Sequence, residues 1–209
     1  MSRKQLILAK TAIWLVCLAP LGRLVLFAFT GRLTANPVEF IQLSTGTWAL
    51  IFLLASLAIT PLRRLTGRNE VIKFRRLLGL FAFFYASLHF TVYLVLDQNL
   101  DLASMWADVF KRPFITVGFT AFVLLLPLAL TSTAWSIRKL GGLNWTRLHS
   151  LVYMSAIAAV VHFWWKVKAD IREPAIYAAI LAALLSARLV YWARKRDLAA
   201  KPRIAPAEP

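Results

Sequence analysis

The chain has 209 residues, 60% of them hydrophobic, with 25 Lys and Arg against 9 Asp and Glu for a net charge of +16. So apolar a composition excludes an ordinary soluble domain, and cations that fall in short runs between apolar segments argue against nucleic acid as the partner and for an anionic lipid surface. The single cysteine, Cys17, excludes an internal disulfide, a cysteine-rich metal site and an iron–sulfur cluster.

A hydrocarbon core of about 30 Å takes about 20 apolar residues at 1.5 Å of rise each. Six segments meet that requirement: 8–29, 41–60, 77–96, 114–131, 148–165 and 174–192. Their apolar runs are continuous and lack the alternation of barrel strands. The expected fold class is therefore an all-α membrane protein, a six-helix transmembrane bundle over residues 8–192, with a short N-terminus at 1–7 and a basic tail at 193–209.

The first segment follows a basic start, as a signal peptide does, but runs on past Pro20 and Arg23 and reads as a retained helix. Cys17, in its middle, reads as a small hydrophobe. Pro61, Pro113 and Pro174 stand at segment edges, where proline begins or ends helices. Gly141 and Gly142 read as a turn. Arg23 and Arg188 lie inside spans near their ends, where a long side chain snorkels or meets an anionic group. The tail ends in "KPRIAPAEP", with the Pro and Ala bias of a disordered end.

Basic residues crowd the N-terminus, the loop after the second span, the loop after the fourth and the tail. The alternate loops hold only Arg32, Lys111, Arg112, Lys166, Lys168 and Arg172. The positive-inside rule then makes both termini and the loops after the second and fourth spans cytoplasmic.

All three histidines, His89, His149 and His162, belong to the third and fifth spans. Ionisable residues within spans are functional-site hypotheses by default. Both spans run from inside to outside, His89 lying about 18 Å and His162 about 21 Å above their inner ends at 1.5 Å per residue. Two level imidazoles on parallel helices suit the axial ligation of a haem iron. Zinc wants a tetrahedral set that no intramembrane carboxylate completes, and copper prefers added Cys or Met. The surroundings, "FAFFYASLHF" and "IAAVVHFWW", set large aromatics beside Ala and Ser, leaving an apolar slot for a porphyrin.

His149 sits about 20 Å below His162 and about 140° around an ideal helix from it, so one face presents both only with local distortion. At its level the third span carries Arg75 and Arg76, and a bis-histidine inner haem is not available. Simpler readings are an aromatic-belt anchor for His162, a solvated loop residue for His149 and an interhelical hydrogen bond for His89. The paired arginines of "TPLRR" and "KFRRLLGL" either hold haem propionates or a flavin phosphate or serve the positive-inside signal alone. No glycine-rich nucleotide fingerprint, catalytic serine arrangement or HExxH occurs.

Six motifs in order, "TPLRR", "RRLLGL", "LHFTVY", "KRPFITVG", "LALTST" and "WTRLHSLVY", resemble the MsrQ (formerly YedZ) family, haem-binding membrane subunits of a bacterial periplasmic methionine sulfoxide reductase system. The likeness runs from about residue 36 to residue 190. More distantly, that family resembles the transmembrane domain of ferric reductases and NADPH oxidases, which carry histidine pairs at spacings of 13 or 14 on the third and fifth helices. Where those relatives have an inner histidine on the third helix, this chain has Arg75 and Arg76.

The resemblance implies electron transfer from a cytosolic flavin reductase or the quinone pool, through FMN and one or two b-type haems, to a periplasmic molybdenum-cofactor (molybdopterin) subunit that reduces protein methionine sulfoxide. His89 and His162 are the expected ligands of an outer haem. His149 is expected to ligate or line an inner centre, with Arg75, Arg76 and Arg147 as cofactor-binding residues. The protein is then a redox subunit and the reduction itself belongs to the partner. A histidine-relay proton channel or transporter, or a structural anchor for a soluble partner, are the rival readings.

Overall fold

The computed structural model describes residues 2–167 and 170–200, with side chains through Arg196. Nine helices follow in order among these residues: α1 (Arg3–Phe29), α2 (Pro37–Thr66), α3 (Ile72–Val92), α4 (Leu102–Lys111), α5 (Pro113–Leu130), α6 (Ala134–Leu140), α7 (Gly142–His149), α8 (Leu151–Lys166) and α9 (Arg172–Ala200). A 3-10 turn (Asn69–Val71) leads into α3, and a π-helical turn (Tyr93–Asp97) continues it. Six stretches are long and apolar enough to cross a membrane: α1, α2, α3 with its flanking turns, α5, α7 with α8, and α9.

Local chemistry sets the helix ends. Ser2 and Gln5 form a reciprocal capping box at the start of α1. Asn36 caps α2 ahead of Pro37, whose missing N–H costs nothing in a first turn. The end of α2 is Gly67, at φ 67°, where a left-handed cap favours glycine. Asp101 accepts from the amides of Ala103 and Ser104 and starts α4. Gly141, at φ 75°, makes the corner between α6 and α7. The turn expected at Gly141–Gly142 is thus a single positive-φ residue between two short helices.

The core is built around α2, the most buried span; α1 and α9 are the least. Leu50, Phe52, Leu53, Leu54 and Leu57 of α2 pack on Phe81, Ala82 and Tyr85 of α3, Leu125 and Leu128 of α5, Val152, Ala156 and Val160 of α8, and Leu181 of α9. The closest pairings are α2 with α3 and α5 with α8. Small residues let these backbones approach, as helices must where lipid supplies no hydrophobic drive. Ala82 and Ala156 are fully buried, and the hydroxyl of Ser155 donates to the Ala121 carbonyl across the α5–α8 contact at 2.9 Å.

Several sequence expectations need correction. Pro61 does not end its helix, because α2 continues to Thr66. A proline inside a helix orphans the carbonyl four residues earlier, here that of Leu57, and the Arg188 guanidinium donates to that oxygen at 2.6 Å. Arg188 donates also to the Tyr153 hydroxyl and lies over that ring. Arg23 lies over the Phe27 ring, 5.3 Å from its centroid. The single fifth span is two helices joined at Ser150. The connections on either side of α5 contain α4 and α6, both too short for spans. The last helix runs past residue 192 to Ala200, and residues 201–209 of the expected tail lie outside the described residues.

Pro20 is also inside a helix. Just beyond it the Tyr85 hydroxyl inserts into the α1 ladder, accepting from the Leu21 amide at 3.1 Å and donating to the Cys17 carbonyl at 2.8 Å. One phenol thus bonds two backbone groups of another helix and ties α3 to α1 where lipid offers no such partner. Tyr85→Phe is expected to lower stability by about 1–3 kcal/mol, the usual cost of stranding buried polar groups. Thermal unfolding of the purified protein in detergent checks this, and a wild-type midpoint would show that α1 closes its own ladder.

Candidate functional site

The structure brings His89 and His162 together. Their ring centroids are 6.0 Å apart with planes at 78°, one ring from α3 and the other from α8. Each ring is held in the same way. His89 Nδ1 lies 2.9 Å from the Gln42 carbonyl oxygen on α2, and His162 Nδ1 lies 2.7 Å from the Phe114 carbonyl oxygen on α5. A carbonyl only accepts, so each Nδ1 carries the proton and each Nε2 keeps its lone pair.

Glycine makes this approach possible. In a helix the carbonyl of residue i already accepts from the amide of residue i+4. A second donor can reach it only where the side chain at i+4 is absent. Gly46 stands four residues after Gln42, and Gly118 four after Phe114. A Cβ on Gly46 would fall 2.9 Å from His89 Nδ1, and one on Gly118 would fall 2.5 Å from His162 Nδ1. The device therefore occurs twice, in "QLSTG" and "FITVG".

Both imidazoles face a cavity of about 570 Å³, within the usual range for cofactor pockets. Leu50, Leu53, Phe90, Phe119, Phe122 and Ala159 form part of its wall, and the rim at the α4 end holds Glu39, Asp97, Arg112 and Lys166. Of these, Lys166 pairs with Glu39 at 3.8 Å, and Arg112 pairs with Asp108 at 3.2 Å. Asp108 also accepts from Gln98 Nε2 at 2.9 Å.

These residues fit a haem. Two imidazoles that keep their Nε2 lone pairs line one cavity from different helices, the walls are largely apolar and aromatic, and the orienting hydrogen bonds are those that metal-ligating histidines use. Gln42 supplies a further sign. Its side-chain oxygen is buried without a hydrogen-bond partner among the described residues, and its nitrogen makes only a long 3.4 Å contact with His89 Nε2. That carboxamide is weakly held at the spot a ligand must take.

His149 is placed differently. It ends α7 and does not line the cavity. The Thr131 hydroxyl donates to the Pro127 carbonyl at 2.6 Å and so accepts from His149 Nε2 at 2.9 Å, giving this ring the opposite tautomer. The ring stacks on Trp145 at 3.9 Å between centroids. Arg75 is half-buried and within electrostatic reach of His149 and Arg188. Arg76 is exposed in a separate groove between α1 and α3, and Arg147 is exposed on α7. None of the three arginines lines the cavity.

Sequence reasoning missed Gly46, Gly118, Gln42 and the Phe114 carbonyl. One signal was present: glycine inside an apolar span costs roughly 1 kcal/mol against alanine and asks for a packing reason. A carbonyl acceptor has no sequence signature, because every residue carries one.

Comparison with known proteins shows the family. The family described as ferric reductase like transmembrane component matches residues 45–160, which include both glycines and His89 but end short of His162. The haem-binding subunit MsrQ of protein-methionine-sulfoxide reductase from Ralstonia nicotianae is 52% identical over 191 residues, covering 90% of this chain and 88% of that protein. That of Herminiimonas arsenicoxydans is 53% identical over 194 residues, covering 92% and 88%. That of Bordetella pertussis is 49% identical over 192 residues, covering 91% and 93%. No solved structure matches.

The hydrogen bonds fix an observable. In the cofactor-free protein, nitrogen-15 spectra of labelled histidine should show His89 and His162 protonated at Nδ1 and His149 at Nε2. Three identical tautomers would contradict the clasp.

Proposed function

Since the chain belongs to the ferric reductase-like transmembrane family and to the MsrQ haem-binding subunits, we propose that it is the electron-carrying membrane subunit of a methionine sulfoxide reductase system, with His89 and His162 holding a b-type haem. The observation that carries the reading is the facing pair of imidazoles, each clasped at Nδ1 so that Nε2 keeps its lone pair. When bound, haem iron supplies one-electron chemistry, and two imidazole ligands leave it no open position for a substrate. Sulfoxide reduction therefore falls to a partner, the molybdopterin-containing subunit in the periplasm.

The chain's own residues do the rest. The Gln42 and Phe114 carbonyls hold the rings at fixed angles, and the aromatic wall excludes water. The α4 end, with its balanced charges, faces the periplasm in this reading, and the strongly basic opposite end faces the cytoplasm of a bacterial inner membrane. There a flavin reductase or quinol delivers electrons, and FMN or a second haem sits near His149, with Arg75 and Arg147 as its anionic-group binders. With Nε2 of His149 already engaged by Thr131 and no histidine opposite it, this end suits a flavin phosphate better than a bis-histidine haem. A proton relay is disfavoured, because it needs rings that exchange protons at both nitrogens, and both Nδ1 atoms of the pair are tied to backbone carbonyls.

The His→Ala series tests the assignment. His89→Ala and His162→Ala should each purify without the outer haem, whereas His149→Ala should keep the outer haem and change or lose only the inner centre. Gly118→Ala, which displaces the His162 ring, should lower haem occupancy several-fold while leaving all three histidines in place. Wild-type haem content in the first two variants would refute the proposed ligand pair.

A further inference from the structure

The groove that holds Arg76 has no part in the reading above. It lies between the N-terminal halves of α1 and α3, has a volume of about 430 Å³, and is lined by Lys10, Thr11, Trp14, Leu15, Lys73, Arg76, Leu77 and Leu80. We propose that this groove binds one anionic glycerophospholipid, its phosphate held by Lys10, Lys73 and Arg76 and its acyl chains lying along Leu15, Leu77 and Leu80.

Three features support the assignment. First, the lining contains three cations and no carboxylate, in a chain whose other interhelical basic residues are placed differently: Arg188 bonds a carbonyl and Arg64 covers the Tyr191 ring. Glu70, within electrostatic reach of Lys73, lies outside the lining, and the abundant anion at the depth of the groove is a lipid phosphate. Second, the groove is amphipathic in the right order. Lys10 and Thr11 open it at the basic end, and Trp14, Leu15, Leu77 and Leu80 continue it toward the hydrocarbon. Trp14 is fixed edge-on to Phe81 at 5.5 Å, which places an indole at the level where such rings meet lipid headgroups.

Third, the groove lies between the Tyr85 clasp and the N-terminal end of α1. The clasp of Tyr85 on Cys17 and Leu21 lies seven residues beyond Lys10, about 10 Å deeper at helical rise. Between that clasp and the membrane surface, a phosphate reached by Lys10 from α1 and by Lys73 and Arg76 from α3 ties the two helices together. Choline-bearing lipids, which bring a cation of their own, fit this setting less well.

The test is native mass spectrometry of the delipidated full chain titrated with synthetic phosphatidylglycerol or phosphatidylcholine. Wild type should hold one phosphatidylglycerol in preference to phosphatidylcholine. At roughly five-fold per surface cation, K73Q/R76Q should weaken that binding roughly 30-fold, K10Q should weaken it roughly five-fold, and R138Q/K139Q, with two charges removed outside the groove, should leave it unchanged. Equal losses in K73Q/R76Q and R138Q/K139Q would mean a diffuse surface field and overturn the proposal. Displacement of the lipid by millimolar inorganic phosphate would also overturn it, since the acyl chains would then contribute nothing. Haem content is read in the same samples, so either hypothesis can fail without the other.

Discussion

The hydrogen bond from an imidazole Nδ1 to a neighbouring helix's carbonyl, made through the gap left by a glycine, is the constraint on which this molecule depends. It is used once between α2 and α3 and once between α5 and α8. Each bond orients a ring, fixes its tautomer and locks a helix pair in register. The two closest-packed pairs in the bundle are the same two pairs. Binding chemistry and packing are therefore one arrangement, because a helix pair that slid by a single turn would lose its carbonyl and find a side chain where the glycine was.

Polar groups elsewhere follow the rule that membrane interiors impose, that every backbone donor and acceptor be satisfied from within. At two of the three interior prolines among the described residues, Pro61 and Pro20 but not Pro127, a side chain from another helix bonds backbone groups at or beside the proline. Arg188 of α9 serves the Leu57 carbonyl that Pro61 releases, and Tyr85 of α3 bridges the α1 ladder beside Pro20. In both cases a distortion in one helix is compensated by a neighbour, which converts a local weakness into an interhelical bond.

These repairs also explain what the sequence could show and what it could not. Six spans were legible from apolar length alone, and the level of His89 with His162 followed from helical rise, so the pair could be anticipated before any coordinates. Pro61 was misread as a boundary because the donor that lets its helix continue lies 127 residues further along the chain, at Arg188. The break at Ser150 and the short α4 and α6 were hidden for a different reason. They sit at the ends of spans, where hydropathy is mixed and neither length nor periodicity separates a short helix from a loop. The clasps were out of reach because a carbonyl acceptor is defined by position alone, and only the pairing of α2 with α3 and α5 with α8 reveals which glycine faces which ring. Arg75 and Arg76 are adjacent in sequence yet point to different surroundings, a divergence that helical geometry predicts only once the neighbours of α3 are known.

The Tyr85 bridge bears on how the chain is assembled. A first helix released into the bilayer alone lacks the two hydrogen bonds that tie its Leu21 amide and Cys17 carbonyl to a phenol that has not yet been translated. Integration of the N-terminal segment is thereby incomplete until the third has emerged, and the order of synthesis becomes part of the folding route: the earliest helix is the last of the first three to be made whole.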